Sequence, residues 1–460
     1  MWLRLQAMGQ TKDNLRKDMD QNMNQSVWQA TENLPKFEAL HQDKKTDVLI
    51  IGGGLCGILC AYFLKQAGVD YMLVEGARIA SGMTQHTTAK ITSQHGLVYD
   101  KMIHSCGKEK AQLYLEANQQ ALDRYRLLAK NIDCDFEEKN AYVYSRRSRS
   151  VIEKEVRAVN ILGFRAEFEE HVPLPFETKG AVMFPGQAQF HPLKFIRSIV
   201  EDLNIYENTF VKNVENHMAW SNGSNIHADK IIVATHFPFL NQHGSYWLKL
   251  YQHRSYVIAL ENAENVDGMY LDESQKGMSF RNYKDLLFVG GGSHRTGKSG
   301  GSWEELRAFA KACYPDAREK YSWAAQDCMS LDGIPYIGHY SRRTPNLYVA
   351  SGFQKWGMTS SMVAAMLLSD MVMEKDNPWQ EVYLPSRNII KPQLICNGLE
   401  AVKNLLQPSF RRCPHMGCAL KWNQNEHTWD CACHGSRFEK NGTLINNPAK
   451  QGMSKVSDSI

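Results

Sequence analysis

Two cysteines and two histidines towards the end of the sequence have the types and the spacing of a metal centre. Cys413 and His415 are separated by one residue, and Cys431 and His434 follow after an interval of fifteen residues. Zinc sites usually pair cysteines about two to four residues apart and are not built from two loops that each give a cysteine and then a histidine. A [2Fe–2S] cluster in which two imidazoles replace two thiolates on one iron fits this arrangement. The spacing therefore predicts an iron–sulfur cluster, with zinc and a disulfide knot as the alternatives.

A glycine-rich turn near the start of the sequence predicts a second site, for a dinucleotide. Gly52, Gly54 and Gly57 form G-x-G-x-x-G between an apolar strand and a helix. The first glycine allows the tight turn, the second admits a pyrophosphate and the third lets the helix approach the strand, while the helix N-terminus offers free N–H groups. Glu75 closes the next predicted strand 18 residues after Gly57, where a carboxylate can accept hydrogen bonds from a ribose. A packing turn without a ligand is the alternative.

Alternating strand and helix patterns surround these sites. From Lys45 onward the pattern is typical of an α/β fold with an inserted antiparallel part and a small C-terminal domain. The predicted strands lie at Asp47–Ile51, Tyr71–Glu75, Ile205–Val214, Lys230–Ala234, Tyr256–Leu260, Leu286–Val289 and Leu347–Ala350. The predicted helices lie at Leu55–Ala67, Gly107–Ala129, Ser150–Leu162 and Met362–Met373. A polar connector then leads to about Cys396, and "LEAVKNLLQ" (residues 399–407) predicts a further helix.

Composition and charge argue against several functions. The 460 residues carry a net charge of +4, with a pI near 8.4, which is too small a bias to indicate nucleic-acid binding. Met1–Ala7 is too short for a signal peptide, and the apolar run Val48–Leu64 contains four glycines, so it predicts a buried βα unit rather than a transmembrane segment. The seven cysteines outside the C-terminal stretch have no pairing spacing, which favours reduced thiols and a cytoplasmic protein.

The residues after Glu75 resemble a known class of flavoproteins. "ARIASGMTQHTTAKITSQHG" (residues 77–96) resembles the segment after the second strand in FAD-dependent oxidoreductases of the glycine/D-amino-acid oxidase class. The resemblance implies FAD as cofactor, with contacts from Gly82, Thr84, His86 and Thr88. No second G-x-G-x-x-G is present, so NAD(P)H is disfavoured as a direct reductant.

Two further segments resemble the same class. "LYVASGFQKWGMTSS" (residues 347–361) resembles its second flavin motif, in which a helix N-terminus stabilises negative charge on the reduced ring. This implies flavin contacts from Gly352, Gly357, Met358 and Thr359. "VKNVENH" implies that Val211 packs near the adenine, whereas "KIIVATHFPF" places His236 where the class has glycine.

Several polar residues near these motifs have two interpretations each. Some dimethylglycine-dehydrogenase-like relatives join a histidine at the spacing of His86 covalently to FAD, and a hydrogen bond on the pocket wall is the alternative. Lys90, Gln94 and His95 either face a substrate or belong to a solvated loop. Ordinary half-buried strand positions are predicted for Tyr251, His253, Arg254 and Tyr256.

The C-terminal stretch resembles Rieske [2Fe–2S] domains. The resemblance implies that Cys413 and Cys431 bind one iron and that His415 and His434 bind the other. It also implies a disulfide between Cys418 and Cys433, as in Rieske proteins of the cytochrome bc type.

Three smaller features belong to the same resemblance. Ser436 matches a serine that hydrogen-bonds a cluster sulfide, Phe438 stands where high-potential members have tyrosine, and "NNPAK" (residues 446–450) resembles the proline-containing loop over the cluster. Little chain precedes the first ligand loop, so the domain is predicted to be reduced to its cluster-binding half and to depend on the flavin domain.

The resemblances extend from about Trp28 onward and imply one fold class. It is a Rossmann-like α/β FAD-binding domain with an inserted antiparallel-sheet substrate domain, followed by a small all-β Rieske domain. The predicted division is a disordered tail (1–27), the oxidoreductase domain (28–395) and the reduced Rieske domain (396–460). Within the second, the FAD-binding parts are about 46–100, 185–240 and 325–375, and the substrate-domain parts are about 135–185 and 240–325.

The combination predicts a dehydrogenase. A flavin accepts two electrons from an organic donor and can release them singly, and a Rieske cluster holds one at a time. The leading hypothesis is oxidation of a small amine or amino acid at FAD, with electrons passing through the cluster to an external acceptor, protein or quinone-like. A reductase fed by a ferredoxin-like donor and a non-enzymatic redox sensor are the alternatives. The sequence identifies no catalytic base.

Overall fold

The structure is a computed structural model that describes residues 25–453. Its helices are α1 (Val27–Thr31), α2 (Leu55–Gln66), α3 (Tyr99–Cys106), α4 (Lys108–Ala129), α5 (Arg149–Ile161), α6 (Pro192–Val200), α7 (Tyr246–Lys249), α8 (Ser302–Cys313), α9 (Gly357–Val372), α10 (Gln380–Tyr383) and α11 (Pro392–Leu406). Its strands are β1 (Lys44–Ile51), β2 (Tyr71–Val74), β3 (Lys90–Ile91), β4 (Glu137–Tyr144), β5 (Glu167–Glu169), β6 (Ala181–Gln189), β7 (Ile205–Tyr206), β8 (Asn213–Glu215), β9 (Met218–Trp220), β10 (Asn225–Val233), β11 (Tyr251–Glu261), β12 (Met269–Asp272), β13 (Ser279–Tyr283), β14 (Leu286–Arg295), β15 (Arg318–Met329), β16 (Tyr336–His339), β17 (Leu347–Ser351), β18 (Leu420–Asn423), β19 (Thr428–Cys431), β20 (Arg437–Glu439) and β21 (Leu444–Asn446).

A largely parallel sheet forms the first layer. Its strand order is β16-β17-β10-β1-β2-β7, with β9 attached to β10 and β8 attached to β9. The central strands β1 and β2 are apolar and buried, as expected for a parallel sheet that is covered on both faces. Helices α2 and α9, both rich in buried apolar side chains, pack in the same core on one face of the sheet.

The turn between β1 and α2 needs its glycines for close approach. Gly52 has φ +113°, and a Cβ there would lie 2.6 Å from the carbonyl oxygen of Ala234. A Cβ on Gly57 would lie 1.9 Å from the carbonyl oxygen of Gly52. The helix can therefore begin directly against the end of the strand, as the sequence predicts.

A nine-stranded sheet covers the carboxyl end of the first layer. Its order is β15-β11-β14-β13-β12-β4-β6-β3, with β5 attached to β6. Most of its pairs are antiparallel, whereas β4 and β12 run parallel. Short β3 lies within the predicted flavin segment (residues 77–96) and pairs with β6, so this segment is attached to the nine-stranded sheet.

The C-terminal domain is a four-stranded antiparallel sheet, β18-β19-β20-β21, preceded by α11. With the two larger sheets it confirms the predicted fold class. Among residues 25–453 no helix has both the length and the apolar character needed to cross a membrane.

Two element predictions are wrong in detail. Ile205–Val214 is not one strand, because the buried Glu207 accepts the N–H groups of Phe37 and Ile79 and holds a turn there, in which Asn208 has φ +50°. Helix α9 begins at Gly357 rather than Met362, since its small and polar first turn is buried against the core.

Part of the predicted tail can be described. Residues 1–24 lie outside the described residues, but Ser26 caps α1 and Val27 is buried. The indole N–H of Trp28, which is fully buried, donates to the carbonyl of Thr87 at 2.7 Å. This first described element therefore anchors the predicted flavin segment.

Candidate active site and iron–sulfur centre

One cavity of about 1660 Å³ lies between the two larger sheets and the C-terminal domain. It exceeds the roughly 300–1,000 Å³ of a pocket for one small ligand, so a dinucleotide and a substrate can fit together. Eleven sequence-predicted cofactor residues line it: Gly52, Gly54, Glu75, Gly82, Thr84, His86, Thr88, Val211, Gly352, Gly357 and Met358. Gly57 and Thr359 lie behind the wall, where Thr359 donates to the carbonyl of Thr92 at 3.0 Å.

The glycine turn forms one end of the cavity. The carboxylate of Glu75 accepts the backbone N–H groups of Gly53 at 2.7 Å and Ala77 at 2.9 Å. Burial raises the pKa of Glu75, while these hydrogen bonds oppose that shift. The N–H of Leu55, at the start of α2, donates to Thr84 Oγ1 at 3.0 Å. The turn, the acid and the predicted flavin segment thus form one connected wall that fits the nucleotide half of FAD.

The N-terminus of α9 forms another part of the wall. Gly357 and Met358 in its first turn line the cavity, and the hydroxyl of Tyr125 donates to the Met358 carbonyl at 2.9 Å. The preceding residue, Trp356, stacks on His95 with ring centroids 4.9 Å apart. The partial positive charge at this helix end suits a ring that becomes anionic on reduction.

His86 lies in a 3-10 turn on the same wall. Its Nδ1 is 2.9 Å from the carbonyl oxygen of Gly82, and its own carbonyl accepts the indole N–H of Trp323 at 2.9 Å. Burial lowers the pKa of His86 to about 4, and the charge of Arg254 acts in the same direction. The ring is therefore neutral at pH 7, and its role towards FAD stays a prediction.

Two ionisable side chains with shifted pKa values, Lys90 and Asp327, line the cavity. Burial, assisted by the nearby cation Arg281, lowers the pKa of Lys90 to about 7, while its Nζ donates to the carbonyl of Tyr270 at 3.3 Å. Burial raises the pKa of Asp327 to about 6, although Lys355 opposes the shift. Gln94 was predicted either to face a substrate or to lie in a solvated loop, and it does neither. Its amide donates to the Val182 carbonyl at 2.8 Å, and the side chain is buried behind the wall.

The two predicted ligand loops lie side by side at one end of the C-terminal sheet. An isolated bridge between Arg412 and Ala419 closes the loop that contains Cys413, and Cys431 ends β19. Both thiols are buried. The rings of His415 and His434 are 4.9 Å apart and nearly perpendicular.

The hydrogen bonds of the two histidine rings show whether their nitrogens are free to bind a cluster. Nε2 of His434 lies 2.9 Å from the carbonyl oxygen of Trp247, and Nε2 of His415 lies 3.1 Å from Asn241 Oδ1. Both partners are acceptors, so each ring carries its proton on Nε2. The two Nδ1 atoms are buried and have no hydrogen-bond partner among the described residues. Two oriented imidazoles with unprotonated Nδ1 atoms beside two buried thiols fit a [2Fe–2S] cluster.

A disulfide joins the two loops. Cys418 and Cys433 are bonded, with their Cα atoms 6.8 Å apart. The sulfur of Cys431 lies within 4.8 Å of both of theirs. Because Cys418 and Cys433 bind each other, the thiols that these loops leave for iron are those of Cys413 and Cys431.

The proline-containing loop ties the centre to the flavin domain. The N–H of Ala449 donates to Ser436 Oγ at 3.0 Å. The side-chain amide of Asn447 donates to the carbonyls of Thr235 at 2.7 Å and Phe237 at 2.8 Å. One loop therefore contacts both the cluster-binding half and the segment after β10.

Two buried glutamines of the nine-stranded sheet hold the second ligand loop. The amide of Gln252 donates to the carbonyl of His434 at 2.8 Å. The amide of Gln326 donates to the carbonyl of Gly435 at 2.9 Å and to Gln252 Oε1 at 2.5 Å. A Cβ on Gly435, which has φ +84°, would lie 2.7 Å from the Cβ of Gln252, so the two surfaces are in close contact.

Arg295 holds the same loop from the other side. Its guanidinium donates to the carbonyls of Ala432 at 2.9 Å and Cys433 at 3.1 Å. A Cβ on Gly297 would lie 2.6 Å from the backbone nitrogen of Ala432. The cluster loop is therefore fixed on the flavin domain by its backbone.

A buried ion cluster, missed by the sequence analysis, joins the C-terminal domain to the cavity wall. Glu426, in the turn between β18 and β19, pairs with Arg254 of β11 and Arg437 of β20. The hydroxyl of Tyr256 donates to Glu426 Oε1 at 3.0 Å, and all four residues line the cavity. Burial acts to raise the pKa of Glu426, but the two arginines outweigh it and lower the pKa to about 2.

Arg254 and Tyr256 lie in strand β11 as predicted, but that prediction did not include their contacts with Glu426. The one sequence feature that could have indicated a buried ion pair was the arginine inside the otherwise largely apolar strand "YQHRSYVIAL". Its partner is 172 residues away, so local patterning could not identify it.

Comparisons with known proteins identify both parts of the chain. The family model for FAD dependent oxidoreductases (DAO) matches residues 47–371, and the model for the Rieske [2Fe-2S] domain matches residues 408–457. The Rieske 2Fe-2S iron-sulfur protein YhfW of Bacillus subtilis (strain 168) is 34% identical over 94% of this chain and 97% of its own length. Glycine oxidase from Geobacillus kaustophilus has a TM-score of 0.64 at 18% identity, over 75% of this chain and 99% of that chain. L-proline dehydrogenase from P. horikoshii has a TM-score of 0.64 at 14% identity, over 75% and 98%.

A nucleotide-binding α/β domain, a second sheet and an iron–sulfur domain around one cavity define a flavoprotein oxidoreductase with an attached one-electron centre. The chain belongs to the FAD dependent oxidoreductase family of the D-amino-acid oxidase class and carries a C-terminal Rieske domain. It is an enzyme whose cofactors are FAD and a [2Fe–2S] cluster.

Proposed function

We propose that the protein is a dehydrogenase that oxidises a small amine or amino acid at FAD and passes the electrons singly through the Rieske cluster to an external acceptor. The observation that carries this proposal is the short path from the cavity wall to a cluster ligand. Thr235 and His236 line the cavity, and the ring of the next residue, Phe237, lies 6.1 Å from the ring of His434. A cluster held this close to a flavin site is well placed for direct electron exchange.

The chain's own residues then have separable roles. When bound, FAD supplies hydride acceptance and the cluster supplies one-electron transfer. The N-terminus of α9 stabilises negative charge at the cavity wall. Gln252, Gln326 and Arg295 hold the cluster loop against the flavin domain.

The substrate class is supported by relatives and by the cavity. The two solved structures of the same fold are named for glycine and for L-proline, both of which are amino acids. In this chain Asp327 is ionised above about pH 6 and can bind an ammonium group, while Lys90 is available as a base near neutrality. Asp327 as an anion and Lys90 as a base in the same cavity suit an amine donor.

Stopped-flow spectroscopy under anaerobic conditions, combined with EPR, tests the direction of electron flow. We expect an amine found in a substrate screen to bleach the flavin first, and the EPR signal of the reduced cluster to appear afterwards. A bleached flavin beside a permanently oxidised cluster would refute the relay. Cluster reduction before flavin reduction, seen only with a ferredoxin-like donor, would assign the opposite direction.

Lys90→Met should remove a pH dependence from amine oxidation. The side chain is protonated below its pKa of about 7, so kcat/KM of the wild type should rise with pH until about 7 and then level off. Methionine is similar in shape but accepts no proton, so the plateau should fall about 100-fold, the low end for a general base, because substrate can also deprotonate in water. Steady-state kinetics across pH measure this, with Lys101→Met at an exposed part of the cavity rim as control. A variant with the wild-type profile would exclude Lys90 as the base.

A further inference from the structure

Helix α11 is turned with its apolar side outward. Ile395, Leu399, Val402 and Leu406 follow one another at intervals of four, three and four residues, which places them on one face of the helix. Ile395 and Leu399 are each 67% exposed, and Leu406 is 77% exposed. A helix on the surface of a globular protein normally has the reverse arrangement, with its apolar stripe towards the core.

The buried side of α11 is polar, and its partners fix this orientation. Asn397 accepts a hydrogen bond from Arg295 at 2.9 Å, and Glu400 forms an ion pair with Lys298 at 2.5 Å. Asn404 is fully buried: its side-chain amide donates to Glu400 Oε1 at 2.8 Å, and its backbone carbonyl accepts the N–H of Ala419 in the first cluster loop at 2.9 Å. Turning the apolar face inward would leave these buried polar groups without partners.

The apolar face continues beyond both ends of the helix. Ile390 precedes it, and Phe410, which is 99% exposed, follows it. Arg412 donates to the carbonyls of Leu405 and Gly417, so the face is tied to the first cluster loop. Met416, next to the ligand His415, is exposed beside it. The surface is larger than the single apolar residues that are scattered over ordinary protein surfaces.

Charge indicates what covers this face. Residues 390–412 contain four basic side chains and one acid, Glu400, which is buried and paired. The basic residues are Lys391, Lys403, Arg411 and Arg412. Packing the face against a second copy of itself would bring two such basic rims together. An aliphatic stripe with a projecting phenylalanine and a basic border is complementary to an anionic lipid surface.

We propose that the apolar face of α11, together with Ile390 and Phe410, docks the protein on an anionic membrane surface. The helix lies in the lipid interface without crossing it, and the first cluster loop comes to lie beside the lipid. Docking does not depend on turnover. The further step, in which a lipid-dissolved acceptor takes electrons from the cluster, rests on the function proposed above.

Sedimentation with phosphatidylcholine vesicles, with and without phosphatidylglycerol, tests the proposal on the holoenzyme. We expect the wild type to sediment with the phosphatidylglycerol vesicles and to be released by salt. Leu399→Glu and Leu406→Glu should each lower the partition coefficient about tenfold, because each removes one leucine that the docked protein inserts into the lipid. Lys403→Glu should weaken binding to the anionic vesicles.

Ile161→Glu is the matched control, since Ile161 is an exposed apolar residue at the end of α5. It should bind vesicles like the wild type, and all variants should keep the flavin absorbance and the cluster EPR signal. Equal partition of the wild type and Leu399→Glu would overturn the proposal. A second result would also overturn it: the wild type does not bind vesicles, forms a dimer in light scattering, and Leu406→Glu dissociates that dimer. The apolar face would then contact a second copy of the chain. These outcomes are measured without substrate, so they are separate from a failure of the electron relay.

Discussion

His434→Ala should abolish the EPR signal of the cluster and lower electron delivery to a protein acceptor such as cytochrome c by on the order of 100-fold or more. The change removes the ligand ring that Phe237 contacts and leaves its Nε2 acceptor, the Trp247 carbonyl, without a donor. Anaerobic bleaching of the flavin by the donor amine should remain, because no residue near Lys90 or the glycine turn is altered. Rapid-freeze EPR and acceptor-coupled kinetics measure the two effects on one preparation.

His427→Asn is the control for this experiment. His427 lies in the exposed turn between β18 and β19 with φ +52°, a conformation that asparagine tolerates. It should keep both the cluster and the rate of electron delivery. If His434→Ala lost its cluster but still delivered electrons at the wild-type rate, FAD would be reducing the acceptor directly and the relay would be wrong.

Glu426→Ala should lower the free energy of unfolding by about 3–5 kcal/mol. Glu426 is buried between Arg254 and Arg437, and alanine would leave two buried cations short of an anion. Arg437 keeps Asp430 at 3.1 Å, so the larger loss falls on Arg254 and on the contact between the two domains. Urea denaturation measures the change, with Glu439→Ala on the exposed side of β20 as control.

The double variant Arg254→Met/Glu426→Leu separates charge from packing. Replacing a buried ion pair by apolar side chains of similar size is often neutral, so most of the lost stability should return. Failure to recover any stability would mean that Glu426 acts mainly through Arg437 and Tyr256 rather than through Arg254.

The same carboxylate should give the protein an acid-sensitive stability. The pKa of Glu426 is about 2 in the folded protein, below its ordinary value of 4.5. Its stabilisation is therefore complete above about pH 4.5 and is lost as the pH falls towards 2, which corresponds to about 3 kcal/mol. Glu426→Gln keeps hydrogen-bonding atoms but does not titrate, so its stability should change less across this interval.

Both cofactor sites could be predicted because short-range spacing encodes them. The positions of Gly52, Gly54 and Gly57 follow from one turn, and two short loops contain all four predicted cluster ligands. The fold class followed for the same reason, since strand and helix periods are local properties of the chain. The prediction failed at Ile205–Val214, where Glu207 forms hydrogen bonds with residues far away in the sequence.

The sequence by itself determined the cofactors, the fold class and the order of the domains: local residue spacing indicated a dinucleotide site and an iron–sulfur cluster, and the resemblance to known families implied FAD and the particular fold. Only the tertiary structure decided how the domains meet. The ion pair of Arg254 with Glu426 and the hydrogen bond from Gln252 to the carbonyl of His434 join residues more than a hundred positions apart. It also decided which side of α11 faces outward: the sequence shows a helix with an apolar and a polar side, but Arg295 and Lys298 supply the partners for the polar side chains that are buried. Most buried polar groups need a hydrogen-bond partner, and where that partner lies far along the chain, the local sequence does not reveal it.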